Sequence, residues 1–388
     1  MLITAIAYIV LGMATLPFIY YLIALHSSWR FFRLPSREKA SRSDFTPPVS
    51  ILKPVRGLDP EAYENFASFC RQDYSEYELV FCIGSGDDPA LPVIEQLKRD
   101  FPGRSIRVLF RSGRTVSNDK VAKLDRLVSE ARYEHVVISD SDVRVQPDYL
   151  RTVIAPLARP SVGAVTCLYV STGEKSLIDN LQTVGLISDL YAGILVAWEL
   201  DGVKFALGQT IVTTRSRLAG FGGYRMLENR PADDLLVGRL IAEQGYEVEL
   251  LRYPVRTVAD YGSMRELFYK RLRWIVVMRH MRPWGHFGLL LTQGLPWSIA
   301  AFAIRPTLVV LFSYLGAYFA LRLAMTWMIG TWGLKRPFSW KDLPLVLVWD
   351  AVAFVMWLSS FLRNTIRWRG GEYYIRDGML VPASPSSD

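Results

Sequence analysis

Residues 2–25, "LITAIAYIVLGMATLPFIYYLIAL", carry no charged side chain. Coiled as a helix they reach ~36 Å at ~1.5 Å per residue, enough to cross a ~30 Å hydrocarbon core with some tilt. No other stretch limits the fold as strongly, because whatever follows must be built beside a bilayer. A secretory leader would start basic and end its apolar run at a small-residue cleavage site. Here the basic residues Arg30, Arg33, Arg37, Lys39 and Arg42 come after the apolar run, and no such site is evident. The expectation is an uncleaved anchor whose basic flank faces the cytosol, with the N-terminus outside.

The apolar content of the chain (51% of 388 residues) is concentrated at its two ends. Stretches 306–330 and 343–362 are interrupted only by Arg322 and Asp350, respectively, and each is long enough to span. Segment 286–304 holds Gln293, Gly294 and Pro296 at its middle and reads as re-entrant or interfacial. Two spans here return the C-terminal tail to the cytosol, and two are expected; a third would put the tail outside. Cys70, Cys82 and Cys167 lack a CxxC spacing, so they read as reduced core residues of a cytosolic middle rather than as a disulfide frame or zinc site. The formal charge of +8 is partly juxtamembrane, which favours anionic membrane lipids over nucleic acid as partners.

From about 48 to 260 short apolar runs alternate with longer amphipathic ones. "VSILKPV" (49–55), "YELVFCIG" (77–84), "IRVLF" (106–110), "HVVISD" (135–140) and "VGAVTCLY" (162–169) read as strands, with helical spacing between them. That alternation implies an α/β fold with a mostly parallel sheet flanked by helices, whose ligands bind beyond the carboxyl ends of the strands. Segment 263–286 sets Leu267, Phe268, Leu272, Ile275 and Val276 near one helical face, flanked by Lys270, Arg271 and Arg282. It is either a helix in the membrane interface or a surface helix packed on the sheet.

Three acidic clusters fall where ligands would bind. Asp140 and Asp142 follow the fourth strand; the spacing suits Mg²⁺ or Mn²⁺, which bridge a diphosphate through one or two carboxylates, and equally suits a turn. Asp87 and Asp88 end the second strand, where a carboxylate could meet a nucleotide. Asp233 and Asp234 precede a helix, as a cap or as a general base for a hydroxyl. "KRLRW" (270–274) supplies cations for a departing diphosphate.

With these motifs in order, the chain resembles the ceramide glucosyltransferases, membrane enzymes of the processive-type glycosyltransferase group with a GT-A fold. The resemblance rests on 51–90, "NDKVAKL" (118–124), "ISDSDVRVQPDYL" (138–150), "ADDLLVGRLIAEQGY" (232–246), "KRLRW" and "RWRGGEY" (367–373). It implies nucleotide contact for Asp88, donor binding with the metal for Asp140, and the general base for Asp234. Arg273 and Trp274 match the Arg-Trp of the Q/R-x-x-R-W motif, implying acceptor and diphosphate contacts. Lys270 stands at its first position, a departure that keeps charge but loses arginine's fork. Asp142 completes an Asp-x-Asp where animal members often have glycine. Lys120 is placed either on a phosphate or in solvent.

The implied layout is an anchor (1–26), a basic linker (27–47), a cytosolic GT-A domain (48–262), an interfacial or re-entrant segment (263–304), two transmembrane helices (305–363) and a tail (364–388). The implied reaction is inverting transfer of glucose from UDP-glucose to the primary hydroxyl of ceramide, with Mn²⁺ or Mg²⁺. Three rival readings are N-acetylglucosamine transfer to a hopanoid or other lipid, a non-catalytic scaffold, and a processive polysaccharide synthase, which would need more spans.

Overall fold

The computed structural model describes residues 2–34, 45–111, 116–173, 176–258, 261–337, 339–368 and 371–383. Residues 35–44 of the expected linker, and 369–370 and 384–388 of the expected tail, lie outside them. Helix α1 (Leu2–Arg33) runs seven residues past the expected anchor boundary at 26. Its continuation is held locally, since the Ser27 and Ser28 hydroxyls donate back to the carbonyls of Ile23 and Ala24 at 2.8 and 2.6 Å. Phe31, buried, sets its ring edge-on to Trp198 at 5.2 Å.

All five expected strands form: β1 (Val49–Pro54), β2 (Tyr77–Ile83), β3 (Ser105–Phe110), β4 (His135–Ile138) and, after the short β5 (Val143–Arg144), β6 (Val162–Thr172). Three strands of this sheet were not expected, β5, β7 (Ile211–Thr214) and β8 (Glu247–Val258). They join one eight-stranded sheet in the order β3-β2-β1-β4-β7-β6-β8-β5. Strands β1 to β4 are mutually parallel, and β7 and β5 run against their neighbours. Every residue of β1 and of β2 is buried, as befits strands covered on both faces. The covering helices include α2 (Ala62–Cys70), α3 (Ala90–Asp100) and α4 (Asp119–Glu130).

Helix α5 (Leu177–Asp201) also escapes the sequence reading; it is apolar enough to cross a membrane, yet two-thirds of its most apolar window is buried within the protein. After α6 (Asp233–Glu243) and β8 comes α7 (Met264–Met281), the amphipathic segment. It packs Leu267 into a cluster with Leu345 and Trp349, and Leu272 and Val276 into another with Ile366, Ile375 and Leu380. Helices α8 (Pro283–Thr292) and α9 (Gly294–Ile304) meet at a 53° bend inside the segment expected to be re-entrant or interfacial. Tyr21 of α1 satisfies the broken backbone, donating to the carbonyl of Thr292 at 3.0 Å and accepting from the amide of Gly294 at 2.9 Å. Helices α10 (Leu308–Gly333) and α11 (Asp342–Phe361) follow, and with α1 and α5 make four long and apolar enough to cross a membrane. A three-stranded antiparallel sheet, β9 (Thr365–Trp368), β10 (Gly371–Arg376) and β11 (Met379–Pro382), ends the described chain and was not foreseen.

The two charges that interrupt the apolar stretches pair with each other. Arg322 Nε donates to Asp350 Oδ2 at 2.8 Å, and Nη2 makes a second bond to Oδ1. Nη1 donates to the carbonyl of Ser188, in a π turn of α5, and Tyr318 donates to Asp350 Oδ2 at 2.7 Å. Breaking a buried pair leaves one charge uncompensated. We expect Asp350→Leu to lower stability by about 3–5 kcal/mol, and the Arg322→Met/Asp350→Leu pair to recover most of that loss. Thermal unfolding in detergent measures both; equal loss in single and double variants would refute the pairing as the cause.

Candidate active site

Strand order brings the acidic clusters together. Because β1, β2 and β4 are parallel neighbours, their following loops share one edge of the sheet. Asp88 ties two of these loops, accepting from the amide of Gly57 through both oxygens (3.2 and 3.3 Å) and from the amide of Ala90 at 3.1 Å. Gly57 has φ +68°, a left-handed conformation that side chains resist. In the same loop Asp59 accepts from the hydroxyl of Ser141 at 2.5 Å, which links it to the Asp140–Asp142 turn.

The reversed strand β7 completes the site. Its register sets Ile211 opposite Ile138, so Gly208, just before β7, falls beside Asp140, just after β4. A Cβ on Gly208 would lie 3.1 Å from Asp234 Oδ2, 3.2 Å from Asp140 Oδ2 and 3.2 Å from Lys120 Nζ. Three of the expected residues therefore meet on the bare face of one glycine. The Gly208 amide donates to Asp234 Oδ2 at 3.1 Å.

Lys120 holds the carboxylates in place. Its Nζ is 2.5 Å from Asp140 Oδ1 and 4.0 Å from Asp233 Oδ2. Burial alone would lower its pKa, but Asp140, Asp233 and Asp234 outweigh burial and hold it above the ordinary lysine range. Asn118 aims it by capping α4, its side-chain oxygen accepting from the amide of Val121 at 3.3 Å. The Asn118 amide group donates to the Arg230 carbonyl at 3.2 Å and to Asp233 Oδ1 at 3.3 Å. Neither Asp233 nor Asp234 is the cap of α6. That position is Ala232, at φ 56°, a left-handed non-glycine conformation of the kind that accumulates at functional sites. Burial, then Asp233, push the Asp234 carboxyl up to about 6 against Lys120.

Asp142 is pushed up to about 7, first by burial, then by Asp140 and Asp59, against Lys53. Lys53, buried in β1, donates to the Asp140 carbonyl at 2.8 Å and lies 3.7 Å from the centre of the Phe69 ring. Among the described residues no three His, Cys, Asp or Glu side chains group to hold an ion unaided. Asp140 and Asp142 would thus contribute two hard oxygens, with phosphate and water completing the shell, and crowded, half-buried carboxylates fit a divalent cation.

The "KRLRW" side chains point to different partners. Lys270 pairs with Glu266 at 2.7 Å and lies 4.6 Å over the Tyr261 ring. Arg273 lies 5.6 Å over the Trp368 ring of the tail sheet. Trp274 is 37% exposed, and its ring takes the Arg271 guanidinium at 4.5 Å. Arg271, expected as a flank of the amphipathic face and as one of the "KRLRW" cations, is buried, and its Nε donates to Gln182 Oε1 of α5 at 2.7 Å. An apolar groove of about 210 Å³, lined by Met264, Phe268, Ala351, Val352 and Val355, opens between α7 and α11. The site therefore gathers Asp140, Asp142, Asp234 and Lys120, while Asp88 ties loops and Lys270 stays at the surface. Sequence reasoning missed Lys53, Asp59, Gly208 and Arg271. Lys53 had a usable signal, a lone cation inside an apolar strand.

The model for glycosyl transferase family 21 matches residues 9–381. Ceramide glucosyltransferase 1 of Caenorhabditis elegans is 24% identical over 359 residues, covering 88% of this chain and 74% of its own length. Ceramide glucosyltransferase 3 of the same organism is 23% identical over 382 residues, covering 94% and 80%. A ceramide glucosyltransferase of Komagataella phaffii is 30% identical over 173 residues, 42% of this chain and 34% of its own. A mannosyltransferase from Pyrobaculum calidifontis, solved with GDP-Man and Mn²⁺, superposes with a TM-score of 0.58 at 19% identity, covering 89% of this chain and 98% of that one. That likeness gives the fold, a GT-A-type sheet.

Asp234 stands one turn before Gly238 on α6, and Gly238 is where the helix touches its support. A Cβ there would lie 2.3 Å from the backbone nitrogen of Ala206 and 2.6 Å from the Cα of Phe205. Glycine to alanine inside an ordinary helix stabilises by up to ~1 kcal/mol. Here we expect Gly238→Ala to destabilise by ~1–3 kcal/mol through overpacking. Chemical denaturation gives the sign, and a stabilised variant would refute the tight docking of α6.

Proposed function

The chain belongs to glycosyl transferase family 21, the ceramide glucosyltransferase family, and from that premise we propose that it transfers glucose from UDP-glucose to the primary hydroxyl of ceramide with inversion. The observation that carries the reading is the convergence of Asp140, Asp234 and Lys120 on Gly208. A half-buried carboxylate with a raised pKa stands there beside a donor-side carboxylate and a fixed cation. The raised pKa of Asp234 suits a base that takes a proton from an alcohol. Its Oδ2 accepts from the Gly208 amide at 3.1 Å and its Oδ1 from the Leu235 amide at 2.9 Å, so the carboxylate is oriented before substrate arrives.

In this reading Asp140 and Asp142 hold a divalent cation, which supplies charge neutralisation at the donor diphosphate when bound. Lys120 holds the Asp140 carboxylate in place, and Lys53 fixes the Asp140 backbone. Asp234 removes the hydroxyl proton as the acceptor oxygen attacks the anomeric carbon from the face opposite UDP. The apolar groove between α7 and α11 suits the chains of a lipid acceptor. The catalytic domain faces the cytosol, consistent with the basic flank of α1, whose last turn holds Arg30 and Arg33. Neither transfer to a hopanoid nor a scaffold role is favoured, since the relatives' names agree on ceramide glucosyltransferase.

Lipids from a host expressing the protein, supplied with ceramide and hopanoid acceptors, are expected to gain one β-linked hexose on ceramide by mass spectrometry and NMR. An N-acetylhexosamine on hopanoid, or a polymer, would overturn the assignment. Asp234→Asn is expected to lower turnover ~100-fold or more with donor affinity little changed; wild-type turnover would remove Asp234 from the base role. Chelation by EDTA should abolish transfer and added Mn²⁺ or Mg²⁺ restore it, whereas full activity in EDTA would reject the cation.

A further inference from the structure

Residues 228–232, which lead into Asp233 and Asp234, belong to no helix or strand. Their backbone is nevertheless held from two sides. The carbonyls of Glu228 and Arg230 accept from the backbone amide and the side-chain amide of Asn118, at 3.0 and 3.2 Å. The carbonyl between them, that of Asn229, accepts from the backbone amide of Leu380 in β11 at 2.6 Å. One grip comes from the cap of α4, the helix that carries Lys120. The other comes from the C-terminal sheet.

The pairing of β10 with β11 explains why Leu380 has a donor to spare. Asp377 and Gly378 form a two-residue hairpin loop with φ of 50° and 72°, both left-handed, as a tight hairpin requires. Arg376 and Met379 close that loop as a hydrogen-bonded pair, so the next pair, Ile375 with Leu380, falls between ladder bonds. The bond from the Ala383 amide to the Glu372 carbonyl, at 2.8 Å, keeps the same alternation. The Leu380 amide therefore points away from β10, out of the open edge of the sheet. Edge donors are normally left to solvent; this one is taken by the segment that delivers Asp234.

The sheet also presses on Ala232. The Leu380 side chain is buried with Leu272 and Val276 of α7 and with Ile366 and Ile375, and Ala232 packs against that cluster. Ala232 is left-handed without being glycine, a strained backbone that persists only where its surroundings impose it. The hairpin loop meets the same segment, since a Cβ on Gly378 would lie 3.8 Å from Nη1 of Arg230. Ala232 stands two residues before Asp234, so relaxation of its backbone would swing the first turn of α6 and draw the carboxylate from the Gly208 amide.

We propose that the C-terminal sheet β9–β11 is a positioning element for the catalytic base, with the Leu380 amide as its point of action; this rests on the reading of Asp234 as that base. Leu380 touches no reacting atom. It holds residues 228–232, which keep Ala232 left-handed and Asp234 in front of Gly208.

The test measures turnover of the full-length protein in nanodiscs containing ceramide, and UDP-glucose affinity in ceramide-free discs, both with Mn²⁺ present. Leu380→Pro removes an amide that the ladder does not use. It is expected to lower kcat ~10- to 100-fold, the effect of a small misplacement of a reacting group, with the Kd for UDP-glucose unchanged. Gly378→Ala strains the hairpin loop at φ 72° and should lower kcat less, in the same direction; it carries the test if the proline variant does not fold. Because the sheet acts through Asp234, either substitution should cost little further turnover in an Asp234→Asn background. Wild-type kcat in both variants, a parallel loss of donor affinity, or losses that multiply in the double variant would overturn the inference and leave Asp234 as the base. Wild-type kcat in Asp234→Asn alone would overturn both.

Discussion

The rest of the architecture hangs on the Arg322–Asp350 pair. Each charge alone would be expensive in a helix apolar enough to cross a membrane, so α10 and α11 are bound to the one register in which the two meet. The pair also recruits α5, because Arg322 reaches the Ser188 carbonyl within a π turn. A π turn frees a backbone acceptor that a regular helix would use internally, so the irregularity and the arginine satisfy each other. On the same helix Gly185 makes room for Trp349, since a Cβ there would sit 2.2 Å from the indole. A turn earlier Gln182 holds Arg271. Charge pairing among the apolar helices thereby fixes the helix that holds the buried Arg271 guanidinium.

The sheet solves the opposite problem, that of holding like charges close together. Asp59, Asp140, Asp142, Asp233 and Asp234 repel one another, and burial raises the cost. The fold answers with two lysines: the carboxylates outweigh burial at Lys120, whereas at Lys53 burial outweighs Asp142, Asp140 and Asp59 and pulls its pKa down to about 7. Lys53 comes from the interior of β1, and Lys120 from the capped start of α4. Neither lysine is mobile, as each is fixed by an element with its own reason to be there. The reversed β7 then delivers Gly208, whose missing side chain leaves the carboxylates a face from which to act.

Strands with uniform apolar runs were legible in the sequence, β1 and β2 because burial on both faces demands such runs, and β1 to β4 formed where expected although β3, at the sheet edge, is only partly covered. β8 was not, because charged Glu247, Glu249, Arg252 and Arg256 and the proline at 254 break its pattern. β7 was too short to stand out at four residues. The acidic clusters were legible as candidates, but their convergence depends on strand order, which no local pattern carries. Arg322 and Asp350 read as interruptions of two separate apolar stretches, since pairing across 28 residues and two helices leaves no periodic trace. Arg271 was readable in principle. It lies four residues after the buried Leu267, hence on the buried face of α7, whereas Arg273 is turned about 160–200° away.

That helical phase bears on how a soluble donor and a lipid acceptor can share one site. Phe268 and Met264 stand one and two turns before Arg271 on α7, and Val352 and Val355 one and two turns after Trp349 on α11. At ~1.5 Å per residue the apolar groove starts within ~5 Å of axial rise from the guanidinium. Apolar side chains line that groove, so apolar chains seated there would gain burial while a polar group would find no partner. The same two helices carry the tryptophans that flank Arg271, so groove and guanidinium are set by one helix packing.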